Sequence, residues 1–113
     1  MEDCLFCKIA AGEIPSNKLF EDDQLLAFYD IDPQAPLHFL VIPKKHYPSA
    51  AALTEADAPL LGHIFAVIAD LCAKNGCEKG YRVVTNVGED GGQSVPHLHF
   101  HVLAKRSLKW PPG

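Results

Sequence analysis

The segment His97–Leu103 constrains the fold more than any other part of the sequence. Histidine occupies every second position, and apolar residues stand between the histidines. Because successive side chains of a β-strand point to opposite faces, a strand here places three imidazoles on one face and an apolar row on the other. The pattern therefore predicts a strand of a sheet whose apolar face covers a core. The imidazole face holds His97, His99 and His101, and the core face holds Leu98, Phe100 and Val102.

Three histidines in register favour phosphate chemistry. Neighbouring imidazoles lie roughly 6.5–7 Å apart on a strand, so one phosphate can meet two of them. Neutral imidazole, with a pKa near ~6.5, is a good nucleophile at pH 7. A covalent intermediate on the middle residue, His99, would split one difficult step into two. Two alternatives remain open: a polar sheet face without chemistry, and a catalytic zinc, which needs a further ligand from another strand.

The glycine-rich loop Gly88–Ser94 precedes this strand. Glycines allow backbone N–H groups to approach an anion closely, and the Ser94 hydroxyl stands three residues before His97. A purely structural turn is the alternative interpretation. Together with the histidines, the loop predicts an anion pocket over the imidazole face.

Size and composition indicate one globular domain over residues 1–113. The formal net charge of −4 gives no long-range attraction for nucleic acid, so no nucleic-acid partner is expected. No stretch approaches a membrane span of ~20 apolar residues, and the first residues carry no signal-peptide pattern. We expect a cytoplasmic protein with reduced thiols. In that setting the Cys4-x-x-Cys7 pair indicates metal binding or redox chemistry rather than a disulfide.

Hydrophobic periodicity predicts an α+β fold with an antiparallel sheet. A short helix from about Cys4 to Ala11 is capped by Asp3 and ended by Gly12. One long helix opens at a capping box formed by Thr54 and Asp57, and Gly76 closes it. The predicted strands are Lys18–Glu21, Leu25–Tyr29, a central His38–Ile42 ended by Pro43, Tyr81–Val87 and His97–Leu103.

These residues together resemble the histidine triad (HIT) family. The segment His97–Leu103 is similar to its signature of histidines alternating with apolar residues. Nearly the whole chain takes part in the resemblance, and the Hint branch is the most similar. The further matching segments are Phe6–Ile9, Gly12–Pro15, Phe20–Asp23, Asp32–His38, Pro43–His46, Gly91–Val95 and Trp110–Gly113.

The resemblance implies a homodimer in which two five-stranded antiparallel sheets, each with a long helix and a short N-terminal helix, form one continuous ten-stranded sheet. It implies hydrolysis of purine nucleoside 5′-phosphoramidates, such as AMP-NH2, AMP-lysine and aminoacyl adenylates, without a catalytic cofactor. A dinucleoside-polyphosphate hydrolase of the same family is one alternative. A slow nucleotide-binding or interaction module is the other.

The resemblance also assigns roles to individual residues. His99 is the nucleophile, Ser94 lies near the leaving group, and His38 and His97 handle protons. Asp30 binds the ribose, and Trp110 of the tail reaches the partner's active site. The phosphate is held by His101, Asn86, Gly92 and Ser94. Gln93, Val95 and His99 complete the nucleotide contacts, and the base pocket is lined by Phe6, Ile14, Phe28 and Ile31.

Three further features follow from the comparison with the family. Some HIT proteins join a cysteine pair to two histidines, which predicts a structural zinc on Cys4, Cys7, His46 and His97. The branch usually has Gly-Gly-Arg after the triad, whereas this chain has Ala104-Lys105-Arg106. Pro96 replaces an aromatic residue before the first histidine. These departures concern the leaving-group preference more than the core chemistry.

Overall fold

In the computed structural model, which describes residues 3–113, five strands form one antiparallel sheet in the order β1-β2-β3-β5-β4. This confirms the α+β fold with a short N-terminal helix and one long helix. The predicted domain also includes Met1 and Glu2, which lie outside the described residues. The elements are α1 (Leu5–Ala10), β1 (Lys18–Glu21), β2 (Leu25–Tyr29), β3 (Leu37–Pro43), α2 (Ala58–Lys74), β4 (Tyr81–Val84) and β5 (Phe100–Ala104), with 3₁₀ turns at Ala50–Ala52 and Glu55–Asp57.

Strand β3 lies at the centre of the sheet and is buried along its whole length. Its odd-numbered side chains, such as Phe39 and Val41, pack in the larger core against α2. Leu40 and Ile42 face the other way, into a second cluster with Phe6 of α1. A strand covered on both faces has no need of polar alternation, which explains the nearly continuous apolar run of β3.

The long helix begins differently from the prediction. The Thr54–Asp57 capping box is present, but it opens a 3₁₀ turn, and the α-helix starts at Ala58. The segment Glu55–Lys74, of 20 residues, contains an 18-residue window with mean hydropathy 1.5, so it is long and apolar enough to cross a membrane by length and composition alone. This corrects the expectation that no segment approaches that length. One face of α2 packs in the core through Ile64, Val67, Ile68, Leu71 and Cys72.

Two other boundaries differ from the prediction. Helix α1 is capped by Cys4 and not by Asp3, because the Cys4 sulfur accepts the Cys7 N–H at 3.2 Å. Strand β4 ends at Val84, and β5 begins only at Phe100. The Thr85 hydroxyl donates to the His99 carbonyl at 2.8 Å, where a continuing ladder would use a backbone N–H. The side chains nevertheless keep the predicted alternation, since Leu98, Phe100 and Val102 all lie in the larger core.

Candidate active site

The three histidines lie on the face of the sheet opposite α2, although His97 and His99 precede the strand itself. The His99 and His101 rings are adjacent, with centroids 5.0 Å apart. The Phe6 ring packs edge-on against His99 at 5.0 Å. His97 is fully buried, His99 is 3% exposed, and the His101 side chain keeps 20% of its surface exposed. Exposure therefore rises along the triad toward His101.

The hydrogen bonds of His99 determine which of its ring nitrogens is free. Nδ1 lies 2.6 Å from the backbone oxygen of His97, and a carbonyl only accepts, so Nδ1 carries the proton and donates. In the neutral ring, Nε2 then holds a lone pair. Within residues 3–113, Ser16 Oγ is the only buried side-chain nitrogen or oxygen atom without a partner. No described residue hydrogen-bonds to Nε2 of His99, so this atom is not fully buried, as a nucleophile requires.

His101 carries its proton on the other ring nitrogen, Nε2, and has its lone pair on Nδ1. The backbone N–H of Gln34 donates to Nδ1 of His38 at 3.0 Å, so the neutral His38 ring carries its proton on Nε2. This Nε2–H faces Nδ1 of His101 at 2.9 Å and Asp30 Oδ2 at 3.4 Å. His101 accepts at Nδ1 and keeps its own proton on Nε2. Nε2 of His99 thus offers a lone pair, and Nε2 of the neighbouring His101 offers an N–H donor.

Burial keeps the His38 and His101 rings neutral. Burial, together with the neighbouring imidazoles of His99 and His38, lowers the pKa of His101 to about 4. Burial also lowers the pKa of His38, against the opposing charges of Asp30 and Asp32. At pH 7 the two rings are therefore uncharged, and the tautomers assigned above apply.

The glycine-rich loop is tightly closed on itself. A Cβ added at Gly91 would lie 2.4 Å from the Val87 oxygen, and Gly92 has φ +78°, so both positions require glycine. The amides of Gly92 and Gln93 donate to loop carbonyls at 3.0 Å. The Gln93 side chain accepts from Gly88 and donates to the carbonyls of Pro48 and Val95. Its contacts therefore position the loop, and Ser94 remains exposed beside the cleft.

A cleft of about 290 Å³ opens beside His101, the one triad residue among those that line it. One wall is polar, with Asp30, Ser94 and His101, and the remaining walls are apolar. This combination suits a ligand with a phosphate at one end and an apolar ring at the other. The apolar walls consist of Leu5, Phe6, Ile9, Phe28, Ile31, Leu40 and Val95.

The four predicted zinc ligands converge behind the triad. Their donor atoms all lie within 4.8 Å of one another. Nδ1 of His97 is 3.2 Å from the Cys4 sulfur, 3.4 Å from the Cys7 sulfur and 3.1 Å from Nδ1 of His46. Burial and the neighbouring Cys4 thiol raise the pKa of Cys7 to about 11. His97 donates from Nε2 to the Pro43 carbonyl at 2.9 Å, so its Nδ1 lone pair points at the sulfurs.

Some predicted residues lie farther from the triad. Trp110 is 79% exposed and stands against the Arg82 guanidinium of β4, 6.0 Å away. Ile31 is fully exposed at the rim of the cleft. Ile14 packs in the second core cluster, and Asn86 is half-buried in the segment after β4. A larger cleft of about 620 Å³ is lined by Gly76–Gly80 and Lys105–Ser107, with none of the predicted site residues.

Sequence reasoning missed several groups that shape the site. Leu40 lines the cleft because it pairs with His101 in the β3–β5 register, and the alternation along β3 carried that signal. The roles of the Gln34 N–H and the Pro43 carbonyl could not be predicted from the sequence, because residue type does not indicate where a backbone N–H or carbonyl will point. These two groups set the tautomers of His38 and His97.

The comparisons with known proteins agree with this geometry. Residues 3–110 match the family model described as "Scavenger mRNA decapping enzyme C-term binding". An uncharacterized HIT-like protein of Synechococcus elongatus is 48% identical over 99% of this chain and 98% of its own length. A HIT family hydrolase from Legionella pneumophila is 50% identical, with TM-score 0.96 over 98% of this chain and all of its own. A histidine triad protein from Clostridium difficile is 48% identical, with TM-score 0.94 over 98% and 97% of the two chains.

Proposed function

Because this chain belongs to the histidine triad (HIT) family, whose hydrolases act on nucleotides, we propose that it hydrolyses purine nucleoside 5′-phosphoramidates in the manner of the Hint branch. The substrates would be the phosphoramidates AMP-NH2 and AMP-lysine, together with aminoacyl adenylates, in which an oxygen joins the α-phosphorus to the acyl group. One observation carries the proposal: Nδ1 of His99 donates to the His97 carbonyl at 2.6 Å, which leaves the Nε2 lone pair free for attack on phosphorus.

The proposed reaction has two steps. Nε2 of His99 attacks the α-phosphorus and forms a P–N bond while the bond to the leaving group breaks. An amine leaves with a proton taken up from solvent, and the amino acid of an aminoacyl adenylate leaves as a carboxylate. The Nε2–H of His101 and the Ser94 hydroxyl are the donors at that wall of the cleft. Water then attacks the nucleotidyl-histidine, which releases the nucleoside monophosphate and restores the imidazole.

The cleft supports a nucleoside as the bound part of the substrate. The Phe6 and Phe28 rings, 5.7 Å apart, provide an apolar wall suited to a purine base. The Asp30 carboxylate has capacity to accept hydrogen bonds from ribose hydroxyls, beside its contacts with the Asp32 amide and His38. Both features lie on the same cleft as Ser94 and His101.

The covalent intermediate provides a direct test. The protein is mixed with adenosine 5′-phosphoramidate, quenched at alkaline pH and digested for mass spectrometry. We expect a nucleotidyl group on the peptide that contains His99, together with release of AMP. A substrate panel that includes a dinucleoside polyphosphate compares the two activities. Turnover of the polyphosphate without turnover of the phosphoramidate would refute the proposed substrate class.

We also propose a structural zinc on Cys4, Cys7, His46 and His97. Two sulfurs and two imidazole nitrogens form a common tetrahedral zinc set, in which neighbouring donor atoms stand roughly 3.3–3.8 Å apart. The separations of 3.1–3.4 Å measured to His97 Nδ1 are close to that range. When bound, zinc would lower the thiol pKa values and fix His97, whose carbonyl orients the nucleophile.

A homodimer is the proposed assembly. Strand β4 lies at the edge of the sheet, so a second β4 can extend it to ten strands. Phe65 of α2 and Tyr81 of β4 are large apolar residues that remain 47% and 43% exposed in the single chain. The exposed Trp110 lies at the same edge, against Arg82 of β4, where it can reach across to a partner.

Light scattering tests the assembly. We expect twice the chain mass at micromolar concentration, and a shift toward the single-chain mass in Phe65→Glu, since a buried unpaired charge opposes association. Val87→Glu, at another exposed apolar residue, is the matched control and should keep the double mass. A wild-type protein that stays at the single-chain mass would contradict the proposed dimer.

A further inference from the structure

The proton arrangement of His101 originates outside the cleft. His101 takes its tautomer from His38, and His38 takes its own from the backbone amide of Gln34. The Gln34 side chain is exposed and donates from Nε2 to the Asp32 carbonyl, so only its backbone acts on the histidines. What holds the Gln34 peptide in place therefore also determines which nitrogen of His101 carries a proton.

Gln34 lies in a loop whose two ends meet at the site. The backbone N–H of Asp30 donates to the carbonyl of His38 at 3.0 Å, which closes the loop at its base. The Asp30 carboxylate accepts the Asp32 amide at 2.8 Å and fixes the first turn. Pro33 and Pro36 restrict the remaining backbone. Gln34 stands halfway along the loop between Asp30 and His38, and it is exposed.

A side chain from another part of the fold donates a hydrogen bond to Gln34. Nε of Arg106, two residues after β5, donates to the Gln34 carbonyl at 3.0 Å. Nη1 of the same guanidinium donates to the Ser107 carbonyl at 3.1 Å, which sets its orientation. Arg106 lines the larger cleft, which shares no lining residue with the nucleotide cleft described above. It therefore touches neither the triad nor the proposed substrate.

We propose that Arg106 is a positioning residue that sets the tautomer of His101 through the Gln34 peptide and His38. The proposal rests on the proposed function for its consequence in catalysis, since the N–H of His101 is there the donor to phosphate. Three hydrogen bonds in series form the relay. Arg106 donates to the Gln34 carbonyl, the Gln34 N–H donates to Nδ1 of His38, and the Nε2–H of His38 donates to Nδ1 of His101.

Loss of the Arg106 contact has a defined consequence. If the Gln34 amide leaves Nδ1 of His38, that nitrogen becomes free to take the proton. The His38 ring then presents a lone pair to His101, and His101 must place its proton on Nδ1 to remain paired. The nitrogen that faces the phosphate would then hold a lone pair, which cannot stabilise the negative charge that develops on the phosphoryl oxygens in the transition state as an N–H would.

Nuclear magnetic resonance of the imidazole nitrogens tests the relay without any substrate. Protonated and unprotonated ring nitrogens have widely separated ¹⁵N shifts, so long-range ¹H–¹⁵N spectra identify each tautomer. In wild type we expect Nε2–H for both His38 and His101. In Arg106→Met the His101 nitrogens should shift toward averaged values, and kcat should fall about tenfold with KM within about twofold.

Three variants make the test decisive. Lys105→Met removes a charge from the same cleft without touching Gln34, and should match wild type in tautomer and kcat. Arg106→Lys keeps the charge but lacks the Nε donor, so it should resemble Arg106→Met. It also replaces that variant if Arg106→Met does not fold. His38→Phe removes the central residue of the relay and gives the reference spectrum of a His101 that has lost its hydrogen bond with His38.

Two outcomes would overturn the proposal. In the first, the Arg106 variants keep wild-type tautomers while His38→Phe changes them, which would place the start of the relay at His38. In the second, kcat falls in the Arg106 variants with unchanged ring shifts, which would assign Arg106 a different role. If wild type turns over no phosphoramidate, the proposed function fails, but the spectra still decide the relay.

Discussion

Replacement of His99 by alanine is expected to lower kcat/KM for adenosine 5′-phosphoramidate by about 10⁴-fold or more. The loss is large because the variant has no atom at the Nε2 position to form the covalent intermediate, and removal of a nucleophile costs far more than removal of a binding group. Steady-state kinetics with a stopped AMP assay measure the effect. The nucleotidyl adduct should disappear in the same variant.

A second substitution separates chemistry from packing. His99 contacts Phe6 and donates to the His97 carbonyl, so alanine leaves a cavity and an unpaired acceptor. His99→Asn retains a side-chain N–H that can donate to that carbonyl, yet it has no nucleophilic nitrogen. Both variants should lose activity equally. His63→Ala, at a half-buried residue of α2 that pairs with Asp22 and does not line the cleft, is the matched histidine control. Activity retained in either His99 variant would remove His99 from the mechanism.

Removal of zinc is expected to lower the free energy of unfolding by about 3 kcal/mol, which corresponds to a fall in Tm on the order of 10–20 °C. The metal would tie Cys4 and Cys7 of the N-terminal helix region to His46 and His97, which belong to distant parts of the chain. Without it, two thiols and two imidazoles would share a partly buried site with only weak mutual hydrogen bonds. Calorimetry with and without a strong chelator measures the difference.

The cysteine variants identify the site responsible. Cys7→Ser removes one ligand, so chelator should no longer change its Tm. Cys77→Ser alters a half-buried thiol outside the cluster and should keep the full chelator effect. Metal analysis of protein purified without added zinc should give one zinc per chain. A metal-free wild type whose Tm is unaffected by added zinc would rule out the structural metal.

The strands were predictable because their residue patterns are local. β1 and β2 have the predicted bounds, and β3 extends the prediction by one residue at each end. β4 and β5 were less well predicted, since a ladder needs a partner. Because the Thr85 hydroxyl donates to the His99 carbonyl, the ladder between β4 and β5 does not extend to His99. The helix start was displaced for a similar reason, because the capping box satisfies a 3₁₀ turn as well as an α-helix.

The sequence by itself determined which face each histidine occupies and which residues are chemically able to attack, donate or bind metal. The alternation of side chains along an extended chain is a local property, and it survives even where the ladder is absent. Only the tertiary structure decided which nitrogen of each imidazole is free. That choice depends on the carbonyls of His97 and Pro43 and on the amide of Gln34. Backbone groups are the same at almost every residue, so their positions follow from the folded chain and not from the letters of the sequence.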